Sequence, residues 1–326
     1  MIAIEDSLPG LTTATKQFYL DVLQHLSMSP KRLSSKYFYD KAGDQLFEKI
    51  MSSPDYYLTR AEMSIFKYRS EDISNSLLQQ GDQPEVIELG PGNCAKSIHL
   101  LRALGARMDQ LTFIPIDISE NIITALQMTL PESIPNISVE GLTGEYFHQL
   151  AACGGSNDVK KVVLCLGGNI GNMSIEESHA FCRTLRSHLR PGDQCLIGFD
   201  LIKHPAIIKR AYDDRDGYTR AFNLTLLKRI NTELNANFNI GQFDHYCSYD
   251  PIEGAAKSYL IALKNMTLNI SGVDIHFKKD EPIWTEISQK FTQKQIHSMA
   301  AQNGFQHTDQ FLDANGWFMD ALWTAI

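Results

Sequence analysis

The chain has 326 residues, 43% of them hydrophobic and 21% charged, the composition of a globular protein with one large or two moderate domains. Its formal net charge of −8, without any run of Lys and Arg, argues against a nucleic-acid partner, because phosphate binding depends on a basic surface. No stretch of about 18 apolar residues is present, so no membrane partner is expected. The six scattered cysteines form no CxxC pair and there is no cationic, apolar leader, which speaks against a metal site and for reduced thiols in a cytoplasmic protein.

Residues 13–26 read as a helix with Phe18, Leu20, Val22, Leu23 and Leu26 on a broad apolar face. A polar stretch leads to the aromatic run Lys36-Tyr37-Phe38-Tyr39-Asp40, then to helices at 44–51 and 60–68. From there helices alternate with strands expected at 85–89, 111–116, 137–140, 161–166 and 194–199. Val162-Val163-Leu164-Cys165-Leu166 is a continuous apolar run, as a central parallel strand requires. Between about 201 and 284 the texture changes, with helical segments at 205–213 and 218–234 followed by alternating ones at 243–249, 256–264 and 267–277. The chain ends in a helix, 292–303, and two strand-like segments, 306–312 and 318–325, joined by the hairpin signal Asn315-Gly316.

The most informative stretch is Val86-Ile87-Glu88-Leu89-Gly90-Pro91-Gly92, a buried strand turning sharply under a ligand. The next strand ends in Asp117, an acid well placed to accept hydrogen bonds from ribose hydroxyls. Together they point to a nucleoside cofactor on a doubly wound sheet. Ala95 stands where a dinucleotide fingerprint has its third glycine, but Glu88 beside the glycines suits a cationic cofactor better than a pyrophosphate. S-adenosyl-L-methionine carries a sulfonium, an ammonium and one carboxylate, and Lys96 is either a partner for that carboxylate or a solvated helix lysine. Cys94 reads as a packing residue, since no activating partner is evident. A terminal antiparallel hairpin is also how the sheet of the common S-adenosylmethionine-dependent methyltransferases ends.

Several blocks follow one family pattern from about residue 35 onward: Tyr37-Phe38-Tyr39-Asp40-x-x-Gly43, Pro54-x-Tyr56-Tyr57-x-Thr59-Arg60-x-Glu62, Leu166-Gly167-Gly168-Asn169-Ile170-Gly171-Asn172, Gly198-x-Asp200-Leu201-x-Lys203, Tyr212-Asp213-Asp214-x-x-Gly217, and Thr285-Glu286-Ile287-Ser288. The sequence resembles the ergothioneine-pathway histidine Nα-methyltransferases and the wider group with fungal tryptophan-derivative N-methyltransferases. The resemblance implies that Gly90, Lys96, Asp117 and Gly167 contact the cofactor and that Glu145 and Tyr146 hold its adenine. Here Glu145 is longer than the usual aspartate and Tyr146 adds a hydroxyl to the usual phenylalanine. It implies that Tyr56, Asn172 and Tyr212 hold the amino acid's backbone groups and that Glu286 and Ser288 read the imidazole. One departure concerns a methionine of the family near the imidazole, where Ser258 aligns here.

These residue types suit the chemistry. Amine methylation is an in-line displacement in which the enzyme mainly aligns the partners and excludes water. Glu286 and Ser288, two residues apart, point the same way on a strand and match the two nitrogens of imidazole. Tyr39, Phe47 and Tyr56 offer an aromatic wall for an alkylammonium, worth about 1–2 kcal/mol when desolvated, and Tyr39 is the candidate catalytic residue, positioning the amine or taking its proton. The expected fold is α/β: a Rossmann-like class I methyltransferase sheet with a terminal antiparallel hairpin over residues 61–199 and 285–326, plus an α+β substrate-binding domain over 11–60 and 200–284. The expected function is methylation of the L-histidine α-amine, up to trimethylation (hercynine), by a monomer acting on a small amino acid, without a metal. A tryptophan derivative or another amine is the alternative substrate, and a non-catalytic cofactor-binding protein the alternative class. A nucleic-acid amino-methyltransferase is disfavoured because Ser53-Pro54-Asp55-Tyr56 lacks a second proline.

Overall fold

Glu85–Leu89 and Lys161–Cys165 lie side by side as parallel strands in the computed structural model, which describes residues 12–153 and 159–326. The chain divides into two compact units. One comprises the described residues as far as Tyr57 together with His204–Ser288, the other Leu58–Lys203 and Gln289–Ile326.

The second unit holds an eight-stranded sheet in the order Phe305–Leu312, Phe318–Ala325, Gln194–Asp200, Lys161–Cys165, Glu85–Leu89, Leu111–Asp117, Ile137–Val139, with Leu142–Thr143 also pairing against Leu111–Asp117. The strands from Gln194–Asp200 to Ile137–Val139 pair in parallel, whereas Phe318–Ala325 runs antiparallel between Gln194–Asp200 and Phe305–Leu312. This is the class I methyltransferase sheet, terminal hairpin included. The central strands are buried on both faces because helices cover both. Val86, Phe113, Val162 and Leu164 face the helices Leu58–Leu77, Ser97–Gly105 and Glu120–Ser133. Ile87, Ile114 and Val163 face Ile175–Ser187 and Gln293–Gln302.

At the carboxyl end of Gln194–Asp200, one buried acid meets two lysines. Asp200 takes the Lys290 ammonium at 2.8 Å and also that of Lys203, and all three side chains are almost wholly buried. Burial pushes the Lys203 ammonium down to about 8, against the pull of Asp200. The backbone is tied at the same place, Phe291 N donating to Asp200 O and Ile202 N to Phe291 O, both at 2.9 Å.

In the first unit a four-stranded sheet runs Lys31–Arg32, Pro282–Gln289, Ala255–Ala262, Phe243–Asp250. Phe18 and Val22 of the first helix, Leu227 and Ile230 of Tyr218–Leu234, and Leu260 and Ile283 of the sheet share its core. The strand Pro282–Gln289 therefore sits with this unit as far as Ser288, although the change of texture in the sequence suggested a boundary at 284. Its pairing partners lie about 25 and about 250 residues away, which no local signal reveals. The segment 267–277 is a hairpin of Met266–Ile270 and Val273–Phe277, turned by Ser271 and Gly272 at φ +47° and +92°. The helix expected at 60–68 extends over Leu58–Leu77, with Ser70 and Ser74 buried on its apolar side and so blurring its period.

Gly198 lies in the strand flanked by Lys161–Cys165 and Phe318–Ala325, so its backbone has no freedom to shift. A Cβ there would stand 2.7 Å from Glu62 Oε1 and 3.1 Å from the Phe318 ring. Gly198→Ala is expected to cost about 1–3 kcal/mol by overpacking, read as a lower denaturant midpoint with an unchanged slope.

Candidate active site

In the unit with the parallel sheet, glycine turns follow the adjacent strands Glu85–Leu89 and Lys161–Cys165. Gly90 and Gly92 take φ +69° and +54°. A Cβ at Gly90 would collide with the Tyr146 hydroxyl, whereas one at Gly92 would meet nothing within 4 Å, so the loop is closed on one side and open on the other. Burial, with the Asp117 charge nearby, pushes the Tyr146 phenol up to about 12, so it stays a neutral donor. Asp117 ends its strand with Oδ1 accepting the Ser119 N–H at 2.9 Å, and its carbonyl accepts the Gly144 N–H at 2.8 Å. Glu145 is exposed at the start of the helix Tyr146–Ala152. Gly90, Asp117 and Tyr146 are thus gathered at one end of the sheet.

Glu88 does not face that opening. It is buried beneath the loop, where it accepts from the Cys94 thiol at 3.7 Å, and burial raises its carboxyl to about 7. Cys94 is itself buried, and its thiol is pushed well up, as an inert packing residue should be. Lys96 precedes the helix Ser97–Gly105 and pairs with Glu62, a partner the sequence reading missed. The other oxygen of Glu62 accepts the Gly167 N–H at 2.6 Å. Gly167 and Gly168, at φ +81° and +68°, open a turn that ends in the single 3₁₀ turn Asn169–Asn172, with Asn172 exposed.

The other unit gathers aromatic and hydroxyl groups. Tyr39, just before the helix Lys41–Ser52, meets Phe47 of that helix edge-on at 5.7 Å between ring centroids. Phe47 meets Tyr56 at 6.4 Å, and Tyr56 meets Tyr212 at 6.3 Å. Phe222, from the helix Tyr218–Leu234, touches both Tyr39 and Phe47 at 5.9 Å and anchors the row from below. It stands in the sequence as one apolar residue among many on its helix, so only packing marks it. The Tyr212 hydroxyl lies 2.6 Å from the Ser288 hydroxyl, and Glu286 sits two residues earlier on the same strand. Tyr39, Phe47, Tyr56, Tyr212, Glu286 and Ser288, spread over 250 positions, are all in this unit. Ser258 is buried on the neighbouring strand, its carbonyl accepting the Thr285 hydroxyl at 3.0 Å. Among the described residues no cluster of three or more His, Cys, Asp or Glu could hold a metal ion, and no helix is long and apolar enough to cross a membrane.

Residues 18–325 match the sequence model of a family described as histidine-specific methyltransferase, SAM-dependent. The histidine N-alpha-methyltransferase of Mycobacterium tuberculosis is 31% identical over 91% of this chain and 92% of its own length. The protein of that name from Mycolicibacterium smegmatis is 30% identical over 94% of both. An L-tryptophan methyltransferase of Psilocybe serbica is 27% identical over 90% of this chain and 88% of its own.

Asp320, on the strand Phe318–Ala325, is fully buried with neither carboxyl oxygen hydrogen-bonded. Burial, reinforced by the nearby Glu62 charge, raises its carboxyl well above 3.8. The folded chain therefore keeps a proton that the unfolded chain releases. The stability this contributes is complete below the unfolded value and is lost as pH rises through the folded one. Asp320→Asn needs no proton, so it is expected to melt above the parent protein at pH 8, with the gap closing towards pH 4.

Proposed function

The chain belongs to the histidine-specific, S-adenosylmethionine-dependent methyltransferase family, and from that membership we propose that it methylates the α-amine of L-histidine, up to the trimethylated betaine hercynine. The observation that carries this reading is the 2.6 Å contact of the Tyr212 and Ser288 hydroxyls, with Glu286 two residues along the same strand. A carboxylate and two hydroxyls in one neighbourhood match a substrate with two ring nitrogens and a carboxylate, whereas an indole offers a single donor.

The residues present fit the cofactor. The glycine loop at Gly90 and Gly92 has an open side that a Cβ-bearing residue at φ +54° would strain, and Asp117 and Tyr146 flank it with an acceptor and a neutral donor. When bound, S-adenosylmethionine supplies a methyl group already activated by its sulfonium. Gly90 and Gly167 would allow close approach, Lys96 would face the cofactor's carboxylate, Asp117 the ribose, and Glu145 and Tyr146 the adenine. Asn172, Tyr56 and Tyr212 would hold the amino acid's backbone groups without adding net charge.

The attacking amine must be neutral. Tyr39 would position it or, as the phenolate, take its proton, and Tyr39, Phe47 and Tyr56 would stabilise the alkylammonium that forms, by about 1–2 kcal/mol once water is excluded. Six buried, unbridged cysteines accord with a reducing compartment, and we infer a cytoplasmic monomer acting on a small molecule.

Mass spectrometry after incubation with S-adenosylmethionine and a mixture of amino acids is expected to show one, two and three added methyls on histidine alone. Methylation of another amine would keep the reaction and relocate specificity to the wall around Ser258. Binding of the cofactor without any product would favour a non-catalytic protein. Tyr39→Phe should lower kcat about 10²-fold or more while cofactor affinity stays within about twofold; unchanged turnover would remove Tyr39 from the reaction. Glu286→Gln should raise the KM for histidine about tenfold, the loss of one charged hydrogen bond.

A further inference from the structure

Glu62 carries no role in the reading above, yet it is 1% exposed and makes two charge-assisted contacts. Its Oε1 accepts the Gly167 N–H at 2.6 Å, and its Oε2 accepts from the Lys96 ammonium. Gly167 opens the turn that follows Lys161–Cys165, and Lys96 closes the loop that follows Glu85–Leu89. Those strands are hydrogen-bonded neighbours, with Glu88 opposite Leu164. One carboxylate therefore bridges the two glycine loops at the same end of the sheet. The packing is tight at Gly198 and Gly171 and in ordinary contact at Gly167. A Cβ at Gly167 would lie 3.5 Å from the Lys96 ammonium, one at Gly198 would press on Glu62 from below, and one at Gly171 would stand 2.8 Å from the Gln289 carbonyl. Asp320 lies opposite Gly198 in the next strand, buried and without a hydrogen-bond partner. Burial and the nearby Glu62 charge raise its carboxyl well above the usual carboxylate range.

We propose that Glu62 is a positioning residue for the cofactor: by holding Lys96 and the Gly167 amide together it sets the spacing of the two glycine loops and so governs cofactor affinity rather than methyl transfer itself. Removing its charge would strand a half-buried ammonium and loosen a turn whose two leading glycines have no side chains of their own to brace it. The inference rests on the reading of these loops as the cofactor site, and the test separates the two. S-adenosylhomocysteine is titrated by calorimetry into the parent protein, Glu62→Gln and Asp320→Asn. Binding to the parent protein examines the loops by itself, and the variants examine Glu62. The expected result is an affinity about tenfold weaker or more in Glu62→Gln, with kcat at saturating cofactor within about threefold, and an affinity within about twofold of the parent in Asp320→Asn. An unchanged affinity in Glu62→Gln, an equal loss in Asp320→Asn, or a fall in kcat without a fall in affinity would each overturn the proposal. Should Glu62→Gln not fold, amide exchange in the parent protein decides: Gly167, although exposed, should exchange about tenfold slower than Gly168, and equal rates would overturn the proposal.

Discussion

The order of strands reverses at Glu85–Leu89, and the cofactor half of the protein follows from that reversal. The strand pairs with Leu111–Asp117 on one side and Lys161–Cys165 on the other. The helix after Glu85–Leu89 packs on one face of the sheet and the helix after Lys161–Cys165 on the opposite face. Two chains leaving neighbouring strands in opposite directions cannot fill the space above both, so a crevice opens at the carboxyl ends. Gly90, Gly92, Gly167 and Gly168 line its rim at positive φ, where backbone must serve as surface.

Three buried acids near that rim differ in the partners that meet them. Glu62 has an ammonium and a backbone N–H as partners. Glu88 has a thiol donor and sits near neutrality at about 7. Asp320 has no hydrogen-bond partner, and burial raises its carboxyl well above the usual range. All three are buried; what differs is the partners each has found. The same rule operates at Asp200, where two lysines face one acid and the cost falls on Lys203 instead.

The other unit solves a different problem, that of presenting polar groups from an apolar support. Phe222 is 2% exposed and sits against Phe38 at 4.5 Å, while Tyr39 beside it is 45% exposed. The row from Tyr39 through Phe47 and Tyr56 to Tyr212 thus rests on core and ends on the hydroxyl of Ser288. Rings held edge-on have little rotamer freedom left to lose on binding, which lowers the entropic cost of ordering a substrate against them.

Much of this was legible in the chain itself. The continuous apolar run at Val162–Leu166, the Gly-x-Gly after a strand, the acid at Asp117 and the Asn-Gly hairpin are local signals, because strand burial, positive φ and tight turns are decided by a few adjacent residues. The likeness of the ordered motifs also placed the chain in its family, which the match over residues 18–325 establishes. What the chain could not disclose was which distant residues meet. That Lys96 faces Glu62, that Ser288 meets Tyr212 and that Pro282–Gln289 pairs between Lys31–Arg32 and Ala255–Ala262 all depend on contacts across tens to hundreds of positions. Residue type and spacing determine local conformation and the inventory of chemical groups. Pairing partners and protonation are properties of the packed interior, and only the tertiary structure decides them, because burial and opposing charge exist only once the chain has closed around them.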